Sequence, residues 1–244
     1  MRIFSFALGN IWQWTKLLNR DPLINYARNL KDIDGVEITF ASKNELMGFN
    51  LSDNNRTWLI KQKYVSIHAP FNMLRASETE KDYRKQLKMI EKIYKEINAK
   101  NVVIHPTELP PHTEILKEYK MNISVENMPP VKCFNVVNLG KVLKNNPDFG
   151  LCIDVAHAYL WSRDMTKRLV KKFKDRVTQI HLSGTYRRRD HQSLQVVTST
   201  FLKSLEPIYR LSVPIVIEET FKIKNLKNIQ QEVTYIRHSI FNGR

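Results

Sequence analysis

A chain of 244 residues is long enough for one α/β barrel and short for two full domains. Its formal charge of +15, from 39 Lys and Arg against 24 Asp and Glu, draws polyanions and favours nucleic acid, phosphorylated substrates or acidic surfaces as partners, although abundant lysines also serve simply to solvate helices. No apolar run approaches the roughly 18 residues of a membrane span, and Cys133 and Cys152 form neither a disulfide framework nor a Cys-x-x-Cys site, so a cytoplasmic protein with no membrane association is expected.

Strand one is predicted over residues 2–8, and helix one over 22–31 with Asp21 as N-cap and Pro22 at the first helical position. Strand two covers 35–40; the poorly patterned stretch 44–61 holds a short helix, and strand three covers 64–68. The clearest helix is 78–98, where Leu87, Ile90, Ile93, Tyr94 and Ile97 recur at three- and four-residue steps. Strand four (101–105), a short helix (113–119) and strand five (122–126) follow; after Met128-Pro129-Pro130 comes a helix over 135–143 and strand six from Phe149. A basic amphipathic helix at 165–174 precedes strand seven (177–182), a polar loop (183–193), a helix to about Leu211, strand eight (213–218) and a last helix over 225–240. Strict alternation of eight strands and eight helical segments predicts a single (β/α)8 barrel domain of parallel strands over residues 1–244.

Several strands are apolar throughout, as strands covered on both faces are, and each ends in one metal-type ligand. Val65-Ser66-Ile67-His68, Val102-Val103-Ile104-His105, Ile123-Ser124-Val125-Glu126, Ile153-Asp154, Ile180-His181 and Ile217-Glu218 would point six ligands at the C-terminal mouth, where barrel chemistry sits. A single strand-end His or Glu is more often a satisfied structural residue. Three carboxylates buried together set like charges against one another unless cations relieve them. His157, three residues after Asp154, and His191, beside Asp190, are placed near the same mouth; His112 and His238 read as surface histidines. Glu37 lies inside strand two and can face the interior, and Glu219 points away from Glu218 by strand alternation.

The fragments Ser66-Ile67-His68-Ala69-Pro70, Val103-Ile104-His105-Pro106, Val125-Glu126-Asn127, Cys152-Ile153-Asp154-Val155-Ala156-His157 and Ile180-His181-Leu182-Ser183 resemble the xylose isomerase-like barrel superfamily, and within it the endonuclease IV type of apurinic/apyrimidinic endonuclease. The resemblance implies a four-ligand site at Glu126, Asp154, His181 and Glu218, shared by isomerases and endonucleases alike. His68 and His105 match the pair that, in the endonucleases, holds a further zinc bridged by the residue matching Glu126. A third zinc there uses a His matching His157 and an Asp-x-His motif. Here Arg189 stands two residues before His191, so either Asp190 takes over or the third site is lost.

The function implied is metal-dependent phosphodiester hydrolysis on abasic or damaged DNA by a monomer with two or three divalent ions, zinc or alternatively manganese. Glu126 and Glu218 are the expected catalytic carboxylates. Arg187, Arg188 and Arg189 would grip phosphate, and the loop carrying Phe71, Asn72 and Arg75 would offer apolar wedges beside a cation. The alternative is a one-metal isomerase or epimerase acting on a sugar or phosphorylated small molecule, with Glu126 and Glu218 shuttling a proton. A catalytically inert barrel that binds nucleic acid is a third reading, and the buried ligand set speaks against it.

Overall fold

The computed structural model describes residues 2–74, 79–132 and 134–241. Its strands β1 (Phe4–Ala7), β2 (Gly35–Thr39), β3 (Tyr64–His68), β4 (Asn101–Ile104), β5 (Ile123–Glu126), β6 (Gly150–Asp154), β7 (Val177–Leu182) and β10 (Ile215–Ile217) pair in parallel and close into a single α/β barrel in the order β1-β10-β7-β6-β5-β4-β3-β2. The remaining two, β8 (Gly184–Tyr186) and β9 (Arg189–Gln192), form an antiparallel hairpin beyond β7. Around the barrel lie α1 (Asp21–Ala27), α2 (Lys43–Met47), α3 (Asp53–Ile60), α4 (Glu80–Glu96), α5 (Val136–Asn145), α6 (Val155–Trp161), α7 (Met165–Phe173), α8 (Ser199–Ser204) and α9 (Leu226–Tyr235).

The core lies between barrel and helices. Outward-facing Phe4, Ile67, Val102, Leu151, Ile153 and Ile180 are almost fully buried against the helix faces, α4 contributing Leu87, Ile90 and Ile93. Gly35 is required where β2 meets β3, since a Cβ there would stand 1.6 Å from the Tyr64 carbonyl oxygen. Among the described residues, no helix is long and apolar enough to cross a membrane.

Several boundaries differ from the sequence-based expectations for local reasons. Asp21 is the first residue of α1 rather than its cap; its side chain instead accepts from Ser52 N at 3.0 Å, Ser52 Oγ at 3.1 Å and Asn55 Nδ2 at 3.0 Å, tying α1 to α3. Residues 44–61 hold two helices, the first opened by Ser42 Oγ accepting from Glu45 N. The helix expected to start at residue 78 starts at Glu80, behind a Thr79–Asp82 capping box; residues 75–78 lie outside the described residues, as does Cys133. Thr113–Glu118 is a 3₁₀ turn. The helix expected to run to Leu211 breaks into α8 and a 3₁₀ turn, Glu206–Arg210, at Pro207, which has no N–H to continue the ladder. The polar loop at 183–193 is the β8–β9 hairpin, and α6 was not foreseen.

Candidate metal centre at the barrel mouth

Parallel strands all end on one rim, so the inward-facing residues near their ends share a common space. β3 ends on His68, β5 on Glu126 and β6 on Asp154; His105 and Glu218 directly follow β4 and β10, and His181 is the penultimate residue of β7. Register places Asp154 opposite His181. α6 starts immediately, because Asp154 Oδ1 accepts from His157 N at 2.6 Å, and this carries His157 over the mouth.

Glu126 is the hub. Its Oε2 lies 3.2 Å from His68 Nε2 and 3.3 Å from His105 Nε2, while Oε1 lies 3.3 Å from His157 Nδ1 and 3.4 Å from His181 Nδ1. His181 Nδ1 is also 2.9 Å from Glu218 Oε2. Among the described residues, three groups have donor atoms all within 4.8 Å of one another: His68–Glu126–His181, Glu126–Asp154–His181–Glu218 and His157–Asp190–His191. The first contains His181 where His105 was expected. The His105 ring instead lies flat against Phe71, with centroids 5.1 Å apart and planes at 9°.

The donor set suits a metal on two counts. Separations of 3.2–3.4 Å exceed the ~2.7–2.9 Å of a charge-assisted N–H···O bond and match the ~3.3–3.4 Å between two ligands held tetrahedrally at ~2.0–2.1 Å from zinc. Asp154 Oδ2 is buried without a hydrogen-bond partner, and His181 Nδ1 and Glu218 Oε2, 2.9 Å apart, are buried with no partner beyond each other, a costly arrangement that a cation accepting these lone pairs would relieve.

Burial opposes ionisation at all these groups, and their neighbours decide the outcome. Glu126 overcomes its burial through the charge of His181 and the adjoining imidazoles of His105 and His157, and sits well below the usual carboxylate range. Glu218 is likewise lowered, burial being outweighed by His181. Asp154 is raised, chiefly by burial, with Glu126 and Glu218 adding to it. His105 is lowered because burial wins there, whereas the carboxylates lift His68, His157, His181 and His191 against burial. The mouth is thus a compact set of alternating charges in which cations would displace imidazole protons.

The third group answers the question raised by Arg189. His157 Nδ1 donates to the Asn127 carbonyl at 3.1 Å and His191 Nδ1 to the Glu218 carbonyl at 3.0 Å, which leaves both Nε2 atoms as the available donors of lone pairs. Asp190 Oδ2 is 3.4 Å from His157 Nε2. Neighbours in a strand normally face opposite sides, but His191 has φ of 52°, and this left-handed kink lets adjacent Asp190 and His191 serve one side. Asp190 thus joins His157 and His191 in one group, and Arg189 is exposed.

Arg188 and Arg189 border a cavity of about 450 Å³ with Asp190, His191, Pro129 and Thr220. Arg187 does not line it; its guanidinium lies over the Tyr186 ring at 5.2 Å. Phe71, 42 % exposed, also meets His68 edge-on at 5.0 Å; Asn72 Oδ1 is buried and unpartnered, and Arg75 lies outside the described residues. Glu219 points away from the mouth, and burial beside Glu232 pushes its carboxyl well up. His112 and His238 are exposed. Sequence reasoning passed over Asn127, which braces Asp154 by accepting its N–H at 2.8 Å and donating to its carbonyl at 2.9 Å, and Gln179, one pleat below His181. Their signals were adjacency to Glu126 and the i, i+2 spacing that shares a strand face.

No protein-family model and no curated protein matches the chain significantly. Solved structures do. Endonuclease IV from Thermus thermophilus aligns over 98 % of this chain and 97 % of its own, with 16 % identity and a TM-score of 0.67. The 3-keto-D-glucoside 4-epimerase of E. coli aligns over 97 % and 99 % at 11 % identity and TM-score 0.69, and a D-tagatose 3-epimerase-like protein over 98 % and 99 % at 18 % and 0.64. The barrel fold of this chain is shared with these epimerases and with endonuclease IV. At these identities the likeness is one of fold, and it spans enzymes on DNA and enzymes on sugars alike.

Proposed function

We propose that this barrel is a metal-dependent phosphodiester hydrolase of the endonuclease IV type, acting on abasic or damaged DNA. The observation that carries the reading is the division of Glu126: one carboxylate oxygen faces His68 and His105, the other faces His157 and His181. A carboxylate with histidines on both oxygens suits a bridge between two ions, and a one-metal isomerase has no use for the His68–His105 side.

His68 and His105, both beside Glu126 Oε2, would hold one divalent ion with it; Glu126, Asp154, His181 and Glu218 would hold a second, and His157, Asp190 and His191 a third, with zinc favoured by the imidazole-rich set and manganese the alternative. Such ions supply Lewis acidity toward a phosphoryl oxygen and lower the pKa of attacking water. Glu218, with a side chain 12 % exposed against 1 % for Glu126 and 0 % for Asp154, is the most open carboxylate of the four-ligand set and the expected proton acceptor. Arg188 and Arg189 orient a phosphate over the third group through planar N–H forks.

The surface around the mouth fits an extended partner. Trp12, Leu17, Met47, Phe71, Tyr186 and Ile223 are all exposed, and all lie in segments that follow a strand's C-terminal end. Exposed apolar and aromatic side chains in such segments suit unstacked bases better than a small sugar.

A second reading has its own support. Glu126, Asp154, His181 and Glu218 form a complete one-ion set, and Glu126 and Glu218 could pass a proton between the carbons of a sugar or sugar phosphate. Assaying wild type and His105→Ala on a labelled abasic duplex and on a panel of ketoses and their phosphates separates the two. The hydrolase reading expects incision by the wild type and its loss by orders of magnitude in His105→Ala; sugar interconversion without incision overturns it.

A further inference from the structure

On the outside of the barrel, away from the mouth, α7 packs against the 3₁₀ turn Glu206–Arg210, and between them lies a cavity of about 500 Å³. Lys167, Lys171 and Lys174 on one side and Arg210 on the other are exposed, whereas Val170 and Pro207 are half-buried and Leu211 is buried, so the cations stand over an apolar floor. A neighbouring cavity of about 440 Å³ shares Glu206 and Arg210 with the first and adds Leu202, Lys203 and Tyr209. The shared wall makes the two one elongated groove.

Its charge is left uncompensated. Helix α4 interleaves its lysines with Glu80, Asp82, Glu91 and Glu96, and there Lys85 reaches Asp82 and Lys95 reaches Glu91. By contrast, α7 has no acid between Met165 and Phe173. Asp164, at its start, accepts from Ser162 Oγ at 2.6 Å, and Asp175, beyond its end, lines a different cavity. Among the described residues, no carboxylate stands within ion-pair distance of Lys167, Lys171, Lys174, Lys203 or Arg210. The chemistry at the strand ends does not use these cations either. Lys174 lies just before β7 begins at Val177, and Arg210 just before β10 begins at Ile215, at the opposite end of the barrel from the metal-type residues.

We propose that this groove docks an acidic peptide segment of a partner protein, one whose carboxylates alternate with apolar side chains. The shape of the site selects this occupant among polyanions. Duplex DNA presents a rigid convex backbone and a membrane presents a plane; either would meet the protruding lysines and leave the apolar floor wet. A peptide can enter a concave groove. Its apolar anchors would sit on Val170, Pro207 and Leu211 while its carboxylates meet the lysine ammonium groups and the planar fork of Arg210. Glu206, on the wall common to both cavities, repels a carboxylate at that point and so sets the register in which the segment lies. Because the groove is on the outer flank, a partner held there leaves the mouth open to substrate.

Fluorescence anisotropy on the full-length protein tests this, with a short labelled peptide repeating Glu-Leu-Asp-Phe as the probe. Wild type should bind it, and Lys171→Glu with Lys174→Glu, both at exposed positions, should weaken binding roughly tenfold or more with the fold intact by circular dichroism. Lys88→Glu with Lys92→Glu, an equal change of charge at exposed positions of α4, should alter it by no more than about twofold, since distant surface charges are screened. The same peptide with serine in place of leucine and phenylalanine should bind wild type roughly tenfold more weakly than its parent. No binding by folded wild type, an equal loss in the α4 variant, or a serine peptide that binds as well as its parent overturns the proposal. So does a labelled single-stranded oligonucleotide or an anionic phosphatidylserine vesicle that displaces the peptide and loses affinity with the same α7 reversal, which would assign the groove to nucleic acid or to a membrane surface instead.

Discussion

Replacing Glu126 with glutamine is the most searching perturbation of the centre, because this side chain contacts four histidines. The change keeps the shape and removes the charge and one of two acceptor oxygens. If the roughly 10–16 kcal/mol of a tight zinc site is shared equally among four ligands, each contributes about 2.5–4 kcal/mol. At 1.4 kcal/mol per decade, losing one weakens binding by roughly two to three decades. Both the His68–His105 side and the His181–Glu218 side should suffer, since His68 and His105 use Oε2 and His157 and His181 use Oε1. The third group, His157–Asp190–His191, retains its own donors. Elemental analysis after dialysis against a weak chelator should find wild type with at least two equivalents of zinc and Glu126→Gln with at most one. Two tightly held equivalents in the variant would refute the bridging role.

The hairpin turn and the strand-end ties give further checks. Arg187 and Arg188, with φ of 50° and 61°, form the two-residue turn between paired Tyr186 and Arg189, a geometry for which Asn-Gly is the favoured sequence; Arg187→Asn with Arg188→Gly should therefore raise unfolding stability by about 1–3 kcal/mol in urea while weakening duplex binding and flattening its salt dependence, by about 0.9 for each phosphate no longer neutralised. A less stable variant would contradict the strain argument. Asp34 is nearly buried; its Oδ2 accepts from Phe4 N at 3.0 Å and Arg237 Nη1 at 3.2 Å, and its Oδ1 meets Lys63 Nζ at 2.5 Å. Burial works to raise its pKa, but the hydrogen bonds from Lys63, Phe4 and Arg237 prevail and lower it. Its contribution is then present above the ordinary aspartate value of about 3.9 and fades as pH falls through the depressed one, so Asp34→Asn should cost about 2 kcal/mol at pH 7 and progressively less at strongly acid pH. A cost that does not change with pH would assign the effect to packing.

The barrel was legible because each strand is a short apolar run and parallel strands share one direction. Once eight such runs are recognised, the residues that end them must meet, and His68, Glu126, Asp154, His181 and Glu218 follow from topology alone. The sequence by itself could not say how Glu126 divides its two oxygens among four histidines, since that depends on side-chain rotamers and strand register. Nor could it place Asp190. Reading Asp-x-His as a linear motif assumes an extended strand, and a single left-handed residue at position 191 overrides the alternation on which the motif depends. Local helix starts were misjudged where a side chain found a stronger partner elsewhere, as Asp21 did on Ser52 and Asn55. Glu37 shows the limit most clearly. In the sequence it is one acid inside an apolar run, and only the closure of the barrel brings β2 within reach of β7 across the interior, where the buried carboxylate finds the imidazole of His181 and both groups escape isolation.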